Sequence, residues 1–349
     1  MNYREHLIII GSNVKQALEQ LNKLAPDSIL FVVDQNEKLI GSLTDGDVRR
    51  GILNGFTVVN LIDDIIQPNP RFIRKGENDV QKIISYREEL FRILPVVDEK
   101  FCVVNVINFR KFKSYLPIDA VIMAGGRGQR LQPLTDSTPK PLLKVGNKAI
   151  MEHNIDRLTS YGIDDFWVSL KYLGEQIERH FGNGQEKNIK IEYIWEKEPL
   201  GTIGAVSKIS NFKHENVLIT NSDLLTTIDY ENFFLEFIKQ EADLAVLTIP
   251  YQVNIPYAVL ETEDGNIKSL KEKPTFTYYS NGGVYLIKRS LLNYIPKDSF
   301  FNSTDLIECL IEKKYKVISY PFSGYWLDIG KHEDFEKAQV DINNLKFQK

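Results

Sequence analysis

An apolar, β-branched run from Ala120 to Ala124 stops abruptly at Gly125, Gly126 and Gly128, and this junction constrains the chain more than any other stretch. A short Val- and Ile-rich run reads as a buried strand, and the glycines after it read as a loop without side chains. Such a loop lets phosphates come close to backbone N–H groups. Arg130 then offers a planar fork of donors, and Lys140, held between Pro139 and Pro141, offers a compact point charge. Ala124, Gly125, Gly126 and Gly128 with these two cations describe a site for a nucleoside triphosphate. The spacing is not that of a P-loop, which needs Gly-Lys-Ser/Thr opening a helix, nor that of a dinucleotide-binding fingerprint.

From Asp119 onward, strand and helix patterns alternate. Strands are expected at Asp165 to Leu170, Lys190 to Trp195 and Asn216 to Thr220, with helices near Glu175 to Phe181 and after Gly201. This order predicts an α/β fold with a mainly parallel sheet covered by helices on both faces. Ligands of such sheets bind outside the carboxyl ends of the strands, where the glycine loop lies.

The chain has 349 residues, 43% hydrophobic and 26% charged, with a net charge of −4, enough for two domains with separate cores. The balance excludes a nucleic-acid surface, which needs a clustered basic stripe. Cys102 and Cys309 are far apart and read as buried thiols in a reducing compartment, and no metal-ligand spacing links the scattered histidines to them. The run Leu7 to Ile10 is too short for a signal peptide, and no segment is expected to span a membrane. A cytoplasmic protein is expected.

A domain boundary is expected near Leu116-Pro117, after a helical-looking segment from Val106 to Tyr115. Residues 1–116 carry a weak internal repeat, about 1–60 and 61–116. Val14 to Leu24 reads as helix and Ile29 to Asp34 as strand, and Val80 to Glu89 and Ile93 to Asp98 repeat that order. The first copy ends in Gly41-Ser42-Leu43-Thr44-Asp45-Gly46-Asp47-Val48-Arg49, which resembles the G-h-x-T-x-x-D ending of cystathionine-β-synthase (CBS) domains. The resemblance implies an α+β CBS pair in which Thr44 contacts phosphate and Asp47 holds the ribose of AMP, ADP or ATP, with Arg49 and Arg50 near the phosphates. Val103 to Phe112 has no matching Thr and Asp, so the second site is expected to be degenerate. A pair that only packs or dimerises is the other reading.

Residues 117–349 resemble the sugar-1-phosphate nucleotidyltransferase (NDP-sugar pyrophosphorylase) family. Its pattern G-G-x-G-x-R-L, P-L-T, P-K-P-L-L-x-V is matched from Gly125 to Val145, with Gln129 where Thr or Ser is usual. The resemblance implies a Rossmann-like, GT-A-like catalytic domain. Leu200-Gly201-Thr202-Ile203-Gly204-Ala205 resembles the family's L-G-T-x-G-A base segment, where Gly201 lets the base lie against backbone and the residue five positions earlier, Glu196, reads its edge. A carboxylate accepts two hydrogen bonds and donates none, which suits the N1–H and N2–H₂ of guanine and favours GTP.

Asp223 ends Asn221-Ser222-Asp223, with Ser222 in place of the usual Gly. Asp328 lies in Trp326-Leu327-Asp328-Ile329-Gly330, similar to W-x-D-x-G. In the family this pair of carboxylates holds Mg²⁺, a hard cation that prefers oxygen ligands. Glu272-Lys273-Pro274 resembles E-K-P, and Asn281-Gly282-Gly283-Val284-Tyr285 resembles N-A-G-x-Y with Gly282 for Ala. By resemblance, Glu272, Asn281 and Gly282 contact the sugar and Lys273 its phosphate. A homo-oligomer acting on GTP and a sugar 1-phosphate is expected. The other readings are a cytidylyltransferase acting on phosphocholine or a similar phosphorylated alcohol, and an inactive nucleotide-sensing regulatory protein. A metal-dependent glycosyltransferase has no use for the P-K-P lysine.

Overall fold

The computed structural model describes residues 3–76 and 79–345, so residues 1 and 349, the outer limits of the two expected domains, lie outside the described residues. Two compact units form: one from the described residues up to Pro117 with Thr159–Gly162, the other from Ile118–Leu158 and the described residues from Ile163 on.

In the first unit, β1 (Leu7–Ile9), α1 (Val14–Lys23), β2 (Ile29–Val33) and β3 (Leu39–Thr44) lead into α2 (Asp45–Leu53) and β4 (Gln67–Pro68). The order recurs in β5 (Ile73–Arg74), α3 (Val80–Glu88), β6 (Ile93–Val97) and β7 (Val103–Asn108). Within each copy the first strand pairs parallel to the second and the second antiparallel to the third. From Ile29 to Ile93 and from Leu39 to Val103 the copies are displaced by 64 residues, and this displacement reproduces small features. The register shift at Val32/Val33 returns at Val96/Val97. Asp34 Oδ1 accepts from Asn36 N and Lys38 N, as Asp98 Oδ1 does from Lys100 N and Cys102 N.

The two copies are joined about a local two-fold. Leu39 N donates to Phe101 O at 3.0 Å and, reciprocally, Val103 N donates to Glu37 O at 2.9 Å. Phe31, Val33 and Leu39 of one copy share a core with Ile93, Val97, Val103 and Val106 of the other. The expected helix from Val106 to Tyr115 is not formed, because Val103–Asn108 is strand β7. Its β-branched residues gain more as the partner of β6 than a helix there offers.

The second unit is built on a seven-stranded sheet. Its strands in chain order are β8 (Ile118–Met123), β11 (Asp165–Leu170), β12 (Lys190–Trp195), β13 (Asn216–Asn221), β15 (Leu244–Asn254), β18 (Thr275–Lys288) and β19 (Val317–Pro321). Between them lie β9 (Lys144–Val145), β10 (Lys148–Ala149), α4 (Ile150–Ser160), α5 (Gly174–Phe181), β14 (Leu224–Thr226) and α6 (Tyr230–Lys239). The hairpin β16 (Val259–Glu263) and β17 (Asn266–Lys271), α7 (Ser303–Glu312), β20 (Trp326–Asp328) and α8 (His332–Asp341) complete it. The sheet order is β12-β11-β8-β13-β18-β15-β19, and β18 alone runs against the rest.

Both faces of the central strands are buried, as a largely parallel sheet requires. Val121, Val217 and Ile219 join the cluster that includes Leu306 and Leu310 of α7, while the alternate residues Ala120, Ile122 and Leu218 are equally inaccessible. The helix expected after Gly201 is only a 3₁₀ turn, Gly204–Lys208, whose entry is strapped by Ile203 N and Gly204 N to Phe301 O.

Asp119, on β8, is fully buried. Its Oδ2 accepts from Lys213 N and His214 N, both at 2.8 Å, while Oδ1 has no hydrogen-bond partner among the described residues. Burial, with Asp165 adding to it, pushes this carboxyl up to about 6 despite those bonds. The folded chain therefore holds the proton more tightly than the unfolded chain, and stability falls as pH rises from about 4 to about 6. Asp119→Asn is expected to remove that loss, raising stability by on the order of 2 kcal/mol above pH 7 and by little near pH 4. Thermal melts of both proteins across this range check it.

Candidate active site

The carboxyl ends of β8, β11, β12 and β13 open on a cavity of about 630 Å³. It is lined by Met123, Gly125 to Arg130, Lys140, Pro141, Ser169, Lys171, Glu196, Pro199 to Thr202, Asn221 to Asp223, Phe300 and Gly330. Of the residues singled out in the sequence, Gly125, Gly126, Gly128, Arg130, Lys140, Glu196, Gly201 and Asp223 meet here. Ala124 is buried just behind the loop, its N–H bonded to Ser169 O at 3.1 Å.

The glycine loop is pinned from outside the motif. Thr135, 1% exposed, donates through Oγ1 to Gly128 O at 2.9 Å, which gives the P-L-T segment a structural task. Arg130 sits on the 3₁₀ turn Gln129–Leu131, with its guanidinium against Gly330.

Two carboxylates far apart in sequence meet through a small sheet. β14 pairs antiparallel with β20, setting Leu224 opposite Asp328 and so Asp223 beside it, and Ile329 N donates to Asp223 O at 3.1 Å. Lys140, 9% exposed, forms an ion pair with Asp223 Oδ2 and lies 3.9 Å from Asp328 Oδ1. Burial raises the Asp328 carboxyl above its ordinary value and Asp223 raises it further, while Lys140 and Arg130 oppose the rise. One buried oxygen of each aspartate, Oδ1, has no hydrogen-bond partner among the described residues. Two buried, underbonded carboxylate oxygens side by side, with an ammonium between the groups, are a donor set that fits a hard divalent cation.

Glu196, also 9% exposed, is held by two donors: Ser169 Oγ to Oε1 at 3.0 Å and Leu200 N to Oε2 at 3.2 Å. A carboxylate has about four acceptor positions, so two bonds leave capacity for a ligand. Gly125 lies directly beside it, and a Cβ there would come within 2.7 Å of Glu196 Oε1. Gly201, at φ +77°, has Phe301 O where a Cβ would stand at 2.6 Å, so only glycine fits this segment.

The expected sugar-side residues are placed differently. Glu272 and Lys273 are exposed, beyond the hairpin of β16 and β17, and do not line the cavity. Asn281 reaches it through a polar chain. Its Oδ1 accepts from Tyr285 Oη at 2.9 Å, Tyr285 Oη bonds Ser303 Oγ at 2.9 Å, and Ser303 N donates to Thr202 Oγ1 at 2.8 Å. Gly282 is buried, and a Cβ on it would press on Leu247, which accounts for glycine where the family pattern has alanine. Ser169, Lys171, Thr202 and Phe300 lie outside the expected set. Ser169 and Thr202 had usable signals, Ser169 in its place at the carboxyl end of an expected strand and Thr202 in the segment Leu200 to Ala205.

In the first unit, Thr44 caps α2 and forms a reciprocal capping box with Asp47. Asp47 is 4% exposed. Its Oδ2 accepts from Thr44 N at 2.8 Å and Thr44 Oγ1 at 2.6 Å, and its Oδ1 from Gln67 at 3.0 Å and from Arg50. Burial would raise this carboxyl, but the hydrogen bonds of Thr44, Gln67 and Arg50 override it and hold it below the ordinary range. Arg49 is exposed and pairs with Asp45.

A family model described as nucleotidyl transferase matches residues 119–344. The chain belongs to the nucleotidyl transferase family. A CBS-domain model matches residues 4–54, so an N-terminal CBS domain precedes the transferase domain. The chain is 34% identical over 235 residues to a D-glycero-alpha-D-manno-heptose 1-phosphate guanylyltransferase of Aneurinibacillus thermoaerophilus, covering 65% of this chain and 99% of the relative. It is 28% identical to a mannose-1-phosphate guanylyltransferase of Mycobacterium tuberculosis, covering 64% of each, so it spans less than two thirds of that protein. The solved structure of HddC from Yersinia pseudotuberculosis matches 64% of this chain and 99% of its own, with a TM-score of 0.50 and 26% identity. Among the described residues, no helix is long and apolar enough to cross a membrane.

The contact between Gly125 and Glu196 makes a specific demand. Gly125→Ala is expected to displace the Glu196 carboxylate and weaken nucleotide binding by roughly tenfold or more with the circular-dichroism spectrum retained. Titration calorimetry with a non-hydrolysable GTP analogue measures this, and unchanged affinity would remove Glu196 from the nucleotide pocket.

Proposed function

We propose that this chain transfers a nucleoside monophosphate from a nucleoside triphosphate, GTP foremost, to a sugar 1-phosphate, giving an NDP-sugar and pyrophosphate. The observation that carries the reading is the convergence on one cavity of the glycine loop, Arg130, Lys140, Glu196 and Asp223, with Asp328 held beside Asp223 and Lys140. Guanine is supported by the acceptor-only carboxylate of Glu196 and by the names of the guanylyltransferase relatives.

In this reaction an oxygen of the sugar phosphate attacks the α-phosphorus in line as the bond to pyrophosphate breaks. The attacking group is already an anion, so no general base or covalent intermediate is required. The obstacle is repulsion between polyanions, and the residues act by placing charge and excluding water. Backbone N–H groups of Gly125 to Gly128 receive phosphate oxygens, while Arg130 and Lys140 offset charge on the α-phosphate and the leaving group. Asp223 and Asp328 would hold Mg²⁺, which when bound supplies further positive charge at the polyphosphate. Thr202 offers its hydroxyl to the sugar, with Ser303, Tyr285 and Asn281 hydrogen-bonded in series behind it. Glu272 and Lys273 serve the acceptor only after their segment moves toward the cavity.

Regulation through the CBS domain rests on the motif of Thr44, Asp47 and Arg49. An adenosine nucleotide there has to displace Arg50 and Gln67 from Asp47 Oδ1.

Pyrophosphate release over the four common nucleoside triphosphates crossed with sugar 1-phosphates, with and without AMP or ATP, tests the reading. Release with CTP and a phosphorylated alcohol alone would favour the cytidylyltransferase, and no release in any arm the inactive regulator. Lys140→Ala and Asp223→Asn are each expected to lower turnover on the order of 100-fold or more while circular dichroism shows a retained fold. Near-normal rates in either would sink its role. Glu196→Gln exchanges an acceptor for a donor, so kcat/KM for GTP should fall by roughly tenfold or more relative to UTP and dTTP. An unaltered ratio between these substrates removes Glu196 as the base reader.

A further inference from the structure

The glycine loop carries a cation of its own. Arg127 stands between Gly126 and Gly128, is exposed, and lines the cavity. Lys140 is paired with Asp223, and Arg130 acts on Asp328. Arg127 has no carboxylate partner among the described residues; its guanidinium lies over the ring of Tyr172, 5.4 Å from the centroid. Tyr172 is fixed in turn, because its Oη shares its proton between Thr135 O at 3.0 Å and Asp136 O at 3.1 Å. Thr135 Oγ1 also holds Gly128 O, so the loop and the ring are tied to the same residue.

Stacking engages the face of a guanidinium and leaves the N–H donors at its edge free. A carboxylate partner would have occupied those donors, whereas a ring orients the group without using them. An arginine held in this way beside a phosphate loop can grip phosphate oxygens with two parallel hydrogen bonds. The two ends of the loop indicate which phosphates those are. A Cβ on Gly125 would come within 2.7 Å of Glu196 Oε1, and one on Gly128 within 3.1 Å of Lys140 Cβ. At Gly126 no atom lies within 4 Å of that position, so the loop is open beside Arg127. In the proposed reaction Glu196 takes the base and Lys140, with Asp223, the neighbourhood of the α-phosphate. The open stretch at Gly126 and Arg127 is left for the two terminal phosphates.

We propose that Arg127 is a further catalytic residue, which holds the β- and γ-phosphates of the nucleotide, and that Tyr172 is its positioning residue. The assignment rests on the cavity being a nucleoside triphosphate site. As the sugar phosphate oxygen bonds to the α-phosphorus, the bond from that phosphorus to the bridging oxygen breaks, and its electron pair leaves with pyrophosphate. Arg127 meets the charge that gathers on this leaving group, at the end remote from the base.

Titration calorimetry of the full chain with GMP and with a non-hydrolysable GTP analogue tests the assignment. Arg127→Ala should weaken the analogue by roughly tenfold or more and leave GMP unaltered, so the ratio of the two affinities falls by that factor. Arg127→Lys should recover only part of it, since an ammonium has no planar fork. Tyr172→Leu keeps the arginine without its platform and should lower the same ratio by about threefold; a merely structural role for the ring would weaken both nucleotides alike. In the reverse reaction, Arg127→Ala should raise KM for pyrophosphate by roughly tenfold or more and leave KM for the NDP-sugar in place. If no acceptor supports transfer, the binding ratios still decide the role of Arg127. If transfer proceeds and the ratio is unaltered in a folded Arg127→Ala chain, the reaction stands and the assignment falls. Equal weakening of both nucleotides, or no preference for the triphosphate in the unaltered protein, would likewise overturn it.

Discussion

Two carboxylates that repel each other are held together by strand pairing, and a lysine lies between them. β14 and β20 bring Asp223 and Asp328 together across the chain, and backbone hydrogen bonds, not charges, fix that distance. Left alone the pair would be costly, since burial and mutual repulsion both favour protonation, as the raised Asp328 carboxyl reports. Lys140 offsets part of this through its ion pair with Asp223. The consequence is a site balanced internally before any ligand arrives. In the proposed reaction Asp223 and Asp328 would hold the cation and Lys140 would turn to the polyphosphate, so that one set of ion pairs is exchanged for another.

The rest of the cavity follows from the ends of four parallel strands. Met123, Leu170, Trp195 and Asn221 end β8, β11, β12 and β13 on the same side, and each is followed by a segment that lines or supports the cavity. Short bonds across the strand ends hold these segments: Ala124 N to Ser169 O, Glu196 N to Leu170 O and Ser222 N to Met123 O. Gly125 is needed because Glu196 lies against it. Glu196 in turn is aimed by Ser169, on the neighbouring strand. The Glu196 carboxylate and the glycine loop are thus one packed unit, with the carboxylate fixed by Ser169 Oγ and Leu200 N.

What could be read in the sequence was what is local. The strands at Asp165–Leu170 and Lys190–Trp195 are where period and β-branched content place them, and the glycine loop and both aspartates are marked by short motifs. Tertiary pairing decided the remainder. Val106 to Tyr115 reads as a helix in isolation, yet its first residues join strand β7 because β6 is available beside them. Ser169, Lys171 and Phe300 are single residues without a motif, and only folding brings them to the cavity. Glu272 and Lys273 carry a motif, yet they sit on an arm whose position the motif does not encode.

The two copies in the first unit show how a few residues decide whether a site can exist. With the 64-residue displacement, Thr44 corresponds to Asn108 and Asp47 to Lys111. Thr44 and Asp47 close a reciprocal capping box, and helix α2 follows. Asn108 still accepts from Arg110 N at 2.9 Å, but Lys111 has no carboxylate to return to the cap, and the chain turns away instead of forming a helix. A missing cap costs a helix about 1 kcal/mol, enough to decide a short one. With the helix goes its N-terminal array of free N–H groups, the feature best suited to phosphate. The same substitution pattern therefore removes the helix and its N-terminus together from the second copy, while the first copy keeps both.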